Sequence, residues 1–288
     1  MAANSIFREY IGGKPYPDDL KDFPDIINRK LDEFHFILAS AVEEYDNNGK
    51  GTGIFRQNWN ENYFGAEHIK ELKRKYRYEN VKVKVMISIG GRGNAFDPAE
   101  KEVWPDRARD SLEKIIQHYQ RLDAIIDGID INYEVVKTKE TDFAHCIGSV
   151  IDALKNKDKV INEVSIAPSK NTQSHYLKLY RAHQKDVRLV DYQFYDQSVP
   201  SAADFVALFR QLSDEYQENI LLAGFSTDLD LDSGKLSREV FIEAATDLIN
   251  TGSLRGIFVW DANDSAAADD PFFFEVKAQK LLTGSGFK

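Results

Sequence analysis

The stretch IIDGIDINYE, residues 125–134, decides the fold class, because its alternating pattern predicts a strand with two different faces. Successive side chains of a strand point to opposite sides. One side carries Asp130, Asn132 and Glu134, and the other carries Ile129, Ile131 and Tyr133. In an α/β barrel the polar set would face the lumen, and the apolar set would face the surrounding helices.

Eight short apolar or β-branched runs, this one included, are predicted to be strands. They are FREYI (7–11), EFHFILASAV (33–42), VKVKVMISI (81–89), IIDGIDINY (125–133), INEVSIA (161–167), RLVDYQFY (188–195), NILLAGFS (219–226) and RGIFVW (255–260). Between most of them lie helical patterns with apolar residues at i, i+3 and i+4. Examples of these patterns span 64–76, 104–119, 141–156, 201–216 and 237–252.

Strands that alternate with helices imply parallel pairing through right-handed crossovers. Eight such units without a Pro/Gly/Ser-rich linker favour one (β/α)8 TIM barrel, an α/β fold, as a single domain over residues 1–288. A doubly wound open sheet is the alternative. Against it, no G-x-G-x-x-G turn follows the first strand, and GGRGNAF (90–96) lacks the last glycine of that pattern.

Composition and charge limit the kinds of partner. The 288 residues carry a net charge of -10, which argues against nucleic acid or an anionic membrane as the main partner. No uncharged apolar run approaches the ~20 residues that span a bilayer. The expectation is a cytoplasmic monomer as the chain is given, or an extracellular or vacuolar protein if a signal sequence was removed. The one cysteine, Cys146, lies in an apolar helical pattern that predicts a buried residue rather than a nucleophile.

DGIDINYE (127–134) resembles the D-G-x-D-x-D-x-E signature of glycoside hydrolase family 18, which contains the chitinases and chitinase-like proteins. The resemblance extends along most of the chain. The other matching stretches are FREYIG on the first strand, SIGG (88–91), VSIAPS (164–169), DYQFY (191–195) and GIFVW (256–260). Within the family, the nearest likeness is to narbonin, a plant seed globulin, and to bulb-type plant chitinases.

The resemblance implies a substrate-assisted mechanism on N-acetylglucosamine oligosaccharides, with no cofactor and no metal ion. Glu134 would be the general acid, and the acetamide of the bound sugar would attack its own anomeric carbon to give an oxazolinium ion. Asp130 would handle a shared proton behind Glu134. Tyr195 would bind the acetamide oxygen, and Trp260 would form the floor under the sugar. Gln193, Gly90 and Gly91 complete the substrate-binding set that the matching motifs imply.

Asn132 departs from the family pattern, because active members carry an aspartate at this position. An amide can accept a hydrogen bond from the acetamide N–H, but it supplies no negative charge to the oxazolinium. Loss of one such electrostatic element typically lowers the rate by about 10²- to 10³-fold. A neighbouring carboxylate would also raise the pKa of Glu134 by like-charge repulsion, and an amide does not. Glu134 is therefore expected to be a poorer general acid near neutrality.

Arg92, at the end of SIGGR, is a candidate blocking residue. A salt bridge from Arg92 to Glu134 would hold the glutamate as an anion and place a long side chain in the substrate groove. The alternative is an exposed loop arginine with no partner at the site, since loop geometry cannot be predicted from these residues.

An acidic loop resembles a calcium-binding pattern, with Asp228, Asp230, Asp232 and Glu239 at positions one, three, five and twelve. Ser233 replaces the glycine of position six, and a strand precedes the loop. A solvated loop that ends in an N-cap at Ser237 is the simpler interpretation.

Three functions are therefore compatible with the sequence. The first is a catalytically silent or very weak chitinase-like protein, such as a storage globulin. The second is a weak endochitinase that acts on β-1,4-linked N-acetylglucosamine, and the third is a lectin-like protein that binds chitin oligosaccharides without turnover.

Overall fold

A computed structural model describes residues 4–12, 26–91, 93–228 and 236–284. Its strands are β1 Ile6–Ile11, β2 Glu33–Tyr45, β3 Gly51–Gln57, β4 Lys82–Gly90, β5 Ala95–Phe96, β6 Gly128–Asn132, β7 Val135–Val136, β8 Glu163–Ile166, β9 Leu189–Tyr192, β10 Leu221–Ser226 and β11 Gly256–Trp260. Its α-helices are α1 Glu61–Phe64, α2 Ala66–Tyr76, α3 Trp104–Gln120, α4 Glu140–Ile151, α5 Gln173–Ala182, α6 Ala202–Tyr216, α7 Arg238–Asn250, α8 Ala262–Ala267 and α9 Phe273–Leu282.

The strand order confirms the predicted (β/α)8 barrel. Nine strands follow the order β1-β11-β10-β9-β8-β6-β4-β2-β3, and a further pairing of β1 with β2 closes eight of them into a barrel. β3 is antiparallel to β2 and stands outside the eight, and β5 pairs with β7 in a separate two-stranded sheet. Each of the eight predicted runs overlaps one barrel strand.

Several elements differ from the sequence-based expectation. The short strands β5 and β7 were not predicted, and of the run 125–133 only Gly128–Asn132 forms a strand. β3 was not predicted, since its sequence GTGIFRQ contains two glycines, which are depleted in strands. The run 188–195 was predicted to be one strand, but β9 ends at Tyr192 and a 3₁₀ turn spans Phe194–Asp196. Tyr195 therefore lies on a turn beyond the strand.

Local signals explain where several helices begin. Ser201 and Ser237 precede α6 and α7, and each side chain accepts a hydrogen bond from a backbone N–H of the first turn. The predicted N-cap at Ser237 is thus confirmed. α3 begins with Pro105 in its first turn, where proline sacrifices no helical hydrogen bond.

The Cα positions divide the chain into two compact units. The first unit contains Met1–Ile37, Glu71–Lys84 and Asp191–Lys288, and the second contains Leu38–Lys70 and Val85–Val190. The core of the first unit includes the stacked rings of Phe225 and Phe274, whose centroids are 4.2 Å apart. In the core of the second unit the ring of Phe96 meets Trp104 and Tyr133 edge-on. The expectation of one domain over 1–288 stays a prediction.

No helix among the described residues is both long enough and apolar enough to cross a bilayer.

Candidate active site

Asp130 lies at the centre of a row of polar side chains in the second unit. Parallel pairing places it opposite Ser88 of β4 and Ser165 of β8. The Ser165 hydroxyl donates to one carboxylate oxygen at 2.6 Å and the Ser88 hydroxyl to the other at 3.2 Å. All three residues are buried. Burial of an unpaired carboxylate would be unfavourable, but each oxygen of Asp130 accepts a hydrogen bond from a serine hydroxyl.

Asn132 ends β6, two residues after Asp130, and is only 2% exposed. Its register partner is Gly90, the last residue of β4. The Asn132 carbonyl oxygen accepts a hydrogen bond from the N–H of Gly91 at 2.7 Å, so the ends of the two strands are tied together. The backbone of Asn132 is therefore fixed at the carboxyl end of its strand, where barrel enzymes place reactive groups.

Gly90 and Gly91 have backbone conformations that exclude most other residues. Their φ angles are +96° and +89°, in the region that favours glycine. A Cβ at Gly90 would lie 2.9 Å from the Asn132 carbonyl oxygen, and one at Gly91 would lie 3.0 Å from the Ser40 hydroxyl. Both glycines are thus required for the close approach of β4 to β6 and β2, and their predicted contact with substrate stays a prediction.

Glu134 lies two residues after the end of β6 and is half-buried, whereas the intervening Tyr133 is fully buried. The N–H of Tyr133 donates to the hydroxyl of Tyr176 on α5 at 2.7 Å. The Tyr133 hydroxyl in turn donates to Glu43 on β2 at 2.9 Å. Tyr133 is therefore held at both its backbone and its ring, and this fixes the chain beside Glu134.

The first unit contains three of the predicted site residues, Gln193, Tyr195 and Trp260. Gln193, directly after β9, is 3% exposed, and Tyr195 on the following turn is half-buried with its ring edge against Phe258. On the same strand, Asp191 forms a fully buried ion pair with Arg8 of β1. The β9 segment is thus anchored by a buried charge pair just before Gln193 and Tyr195.

Trp260 ends β11 and is 8% exposed. Its ring lies 5.2 Å, centroid to centroid, from that of Tyr10 on β1, and Tyr10 also contacts Phe258. The carbonyl oxygen of Trp260 accepts a hydrogen bond from the N–H of Thr227 at 2.7 Å. The indole is therefore held from its backbone and from one ring neighbour.

Several predictions fall on residues that the structure does not describe. Arg92 is one of them, and Asp230, Asp232 and Ser233 of the acidic loop are others. Among the described residues, no group of three or more His, Cys, Asp or Glu side chains is placed to hold a metal ion. Cys146 is buried as predicted, and burial raises the pKa of its thiol to about 11, so the thiolate that a nucleophile needs is scarce.

Four residues beside the predicted site residues were not predicted from the sequence. They are Ser88 and Ser165, which contact Asp130, Arg8, which pairs with Asp191, and Tyr10, which packs on Trp260. Alternation within the strands could have indicated them, since Ser88 and Ser165 share the register of Asp130. On β1, Arg8 and Tyr10 are two residues apart and so lie on one face.

A comparison with family models shows to which family the chain belongs. The model of glycosyl hydrolases family 18 matches residues 34–229. The chain belongs to this family. Family 18 membership therefore rests on a match that includes β2, β4, β6, β8, β9 and β10, together with the DGIDINYE stretch.

Two relatives and two solved structures are similar to this chain over most of its length. The chain is 36% identical over 287 residues to "Chitinase 1" of Tulipa saxatilis subsp. bakeri, which covers 96% of this chain and 87% of the relative. It is 26% identical over 275 residues to "RuBisCO-associated protein" of Glycine max, with 91% and 92% covered. Among solved structures, the catalytic domain of a fern family 18 chitinase has a TM-score of 0.81 at 33% identity, with 96% of this chain and 99% of that chain covered. The family 18 chitinase of Crocus vernus has a TM-score of 0.81 at 32% identity, with 97% and 100% covered.

Proposed function

We propose that this protein is a chitinase-like member of family 18 in which hydrolysis of chitin oligosaccharides is absent or very weak. The observation that carries the proposal is Asn132, a buried amide at the carboxyl end of β6 between Asp130 and Glu134. The relatives of this chain include one named a chitinase and one named for another role. Membership of the family is thus compatible both with an active chitinase and with a protein that does not hydrolyse chitin. The residues of the site distinguish the two.

The proposed roles follow the family mechanism. Glu134 would protonate the glycosidic oxygen, and the acetamide of the bound sugar would act as the nucleophile. Tyr195 would bind the acetamide oxygen, and Trp260 would support the sugar ring through apolar contact. Two hydroxyls already donate to the two oxygens of Asp130, which supports a role for Asp130 as a fixed member behind Glu134.

Asn132 weakens this mechanism at its charged step. The oxazolinium ion carries a positive charge, and a carboxylate at position 132 would stabilise it in a site from which water is largely excluded. An amide offers only a dipole. Because Asn132 is 2% exposed, solvent cannot replace the missing charge. The expected loss is about 10²- to 10³-fold in the turnover rate.

The test is hydrolysis of an N-acetylglucosamine tetramer by the wild-type protein and by Asn132→Asp. We expect the variant to be about 10²-fold faster or more. Glu134→Gln in the Asn132→Asp background should abolish the gain, and Asn156→Asp, at a distant exposed position, should leave the wild-type rate unchanged. Rapid hydrolysis by the wild-type protein, at a rate that Asn132→Asp does not raise, would contradict the proposal.

Arg92 enters the same test as a second variable. If Asn132→Asp alone remains inactive, the Asn132→Asp, Arg92→Ala double variant should gain hydrolysis, because the proposed salt bridge to Glu134 would be removed. Inactivity of both variants would mean that the shape of the loops, rather than these two side chains, limits catalysis.

The two alternatives are separated by binding. The 36% identity to Chitinase 1 favours a weak endochitinase, which would show slow but measurable turnover of the tetramer by the wild-type protein. The packed Tyr10–Trp260 pair favours a lectin-like protein, which would bind the tetramer in calorimetry without turnover. If the tetramer is neither bound nor hydrolysed, the result supports a silent globulin with a storage role.

A further inference from the structure

A short segment of the first unit, Glu71–Lys84, has a charge opposite to that of the rest of the chain. It contains six lysine or arginine residues and two glutamates, a net charge of +4, whereas the whole chain carries -10. The remaining residues therefore carry -14. We call Glu71–Lys84 the basic segment; it includes most of α2, the following turn and the start of β4.

Ion pairs involve both acidic side chains of the basic segment. Arg74 lies 3.6 Å from Glu71, and Glu79 accepts a hydrogen bond from Arg29 at 3.0 Å, so both acidic side chains of the segment already have a cation beside them. Lys84 lies 2.9 Å from Glu33, a buried carboxylate outside the segment. Among the described residues, neither Arg77 nor Lys82 has an ion-pair partner, so these two positive charges are available to a ligand.

Tyr78 stands in the middle of these charges. It is 89% exposed, whereas its neighbour Tyr76 is 3% exposed and packs into the protein. The guanidinium of Arg77 lies 5.6 Å from the centroid of the Tyr78 ring, within the range of a cation–π contact. An exposed tyrosine paired with an arginine is the combination that interface cores favour.

The requirements of the fold explain only part of the segment. Lys73, Arg74 and Lys75 occupy the last turn of α2, where cations stabilise the negative end of the helix dipole. Arg77, Tyr78 and Lys82 lie beyond that turn and are exposed. Neither the helix dipole nor core packing accounts for these three side chains.

We propose that the basic segment is a docking surface for an acidic polypeptide segment, with Tyr78 as its central apolar contact. Carboxylates of the partner would pair with Arg77 and Lys82, and an aliphatic side chain of the partner would cover the Tyr78 ring. A nucleic acid fits less well, because its uniform negative charge would extend past the short segment, and the other residues of the chain carry a net charge of -14.

The position of the basic segment makes this function independent of the proposed active site. It leads into the amino end of β4, while Gly90 and Asn132 lie at carboxyl strand ends. β4 has nine residues, so its first and last Cα atoms are about 26 Å apart at ~3.3 Å per residue. The proposed docking contacts therefore involve none of the residues at the carboxyl end of the strand.

The test is an NMR titration of the full chain with a synthetic glutamate-rich peptide that has leucine at every fourth position. Resonances of residues 71–84 should shift, and the affinity should fall as ionic strength rises, because the pairs are exposed. Arg77→Glu with Lys82→Glu should abolish the shifts. Tyr78→Ala should weaken binding about five- to tenfold, whereas Tyr78→Phe should keep the wild-type affinity.

Matched controls make the result specific. Lys170→Glu with Lys185→Glu is the same charge reversal at exposed positions outside the segment, and it should leave binding unchanged. A peptide with glutamine in place of glutamate should not bind. Shifts outside residues 71–84, equal losses in both double variants, or tighter binding of an oligogalacturonate or a short DNA duplex would each overturn the proposal.

Discussion

His35, on β2, shows how burial overrides an apparent ion pair at the scale of one residue. Its Nε2 lies 2.9 Å from Glu33, a geometry that would suit a charged pair. Burial is the largest cause that opposes the charge, and Arg8 adds to it, so the pKa of His35 is lowered to about 3. We therefore assign a neutral imidazole that donates to Glu33, while Lys84 supplies the positive charge beside that carboxylate.

The lowered pKa predicts acid sensitivity. The unfolded histidine, with a pKa near 6.5, binds a proton that the folded one does not, so the free energy of unfolding should fall as the pH drops from about 6.5 toward 3. His35→Gln keeps a donor for Glu33 and should reduce the slope of this loss by up to about 1.4 kcal/mol per pH unit. Urea unfolding at a series of pH values measures the slope.

His118 supplies the control for this experiment. Its side chain is 49% exposed, and His118→Gln should leave the pH dependence of unfolding as it is in the wild type. An identical slope in His35→Gln and the wild type would show that the buried histidine is not the acid-sensitive group.

Glu43 joins three elements of the second unit. One carboxylate oxygen accepts from the indole N–H of Trp104 on α3 at 2.5 Å and from the N–H of Gly53 on β3 at 2.9 Å. The other oxygen accepts from the hydroxyl of Tyr133, next to Glu134. Burial raises the pKa of Glu43, and its three donors only partly oppose this effect. One side chain of β2 thus holds β3, α3 and the end of β6 in place.

Glu43→Ala should lower the free energy of unfolding by about 2–4 kcal/mol, because three buried donors lose their acceptor at once. Chemical denaturation of the wild type and the variant measures the difference. Glu67→Ala, which removes a 79% exposed glutamate from α2, should change the free energy by about 0.5 kcal/mol or less. Equal effects of the two substitutions would contradict the role of Glu43 as a junction.

At the scale of the whole molecule, buried acids near the last two helices influence the pKa of an acid on the first strand. Glu9 of β1 is fully buried, and neither of its carboxyl oxygens has a hydrogen-bond partner among the described residues. Burial, followed by the charges of Glu275 on α9 and Asp261 before α8, raises the pKa of Glu9 well above its usual value. Burial also raises the pKa of Glu275, whose carboxylate accepts from Ser265.

This cluster predicts a loss of stability toward higher pH. The folded Glu9 holds a proton that the unfolded one, with a pKa near 4.5, releases, so the free energy of unfolding should decline as the pH rises above about 4.5. Glu9→Gln mimics the protonated acid and should raise the free energy of unfolding at neutral pH by about 1–3 kcal/mol. Thermal unfolding across pH 5–8 tests the sign.

Glu239→Gln removes an exposed carboxylate from the first turn of α7 and is the matched control. It should leave the dependence of stability on pH unchanged. A destabilised Glu9→Gln with the wild-type dependence on pH would mean that Glu9 is ionised in the folded protein.

Local sequence patterns predicted the barrel strands, a helix start and the class of fold. The period of two along 125–134 predicted the strand and its polar face, the alternation of strands with helices predicted the barrel, and Ser237 predicted a helix start. The DGIDINYE motif placed Asn132 where an aspartate is usual. Each of these signals lies within a few residues, and local sequence specifies such signals through backbone geometry and periodicity.

Only the tertiary structure decided the contacts that join distant parts of the chain. Glu43 meets Tyr133 across 90 residues of sequence, and Arg8 meets Asp191 across 183. The pKa of Glu9 is raised first by burial and then by the charge of Glu275, near the other end of the sequence. Sequence spacing carries no record of these pairs, because they arise when barrel closure brings strands and helices together and removes water from between them.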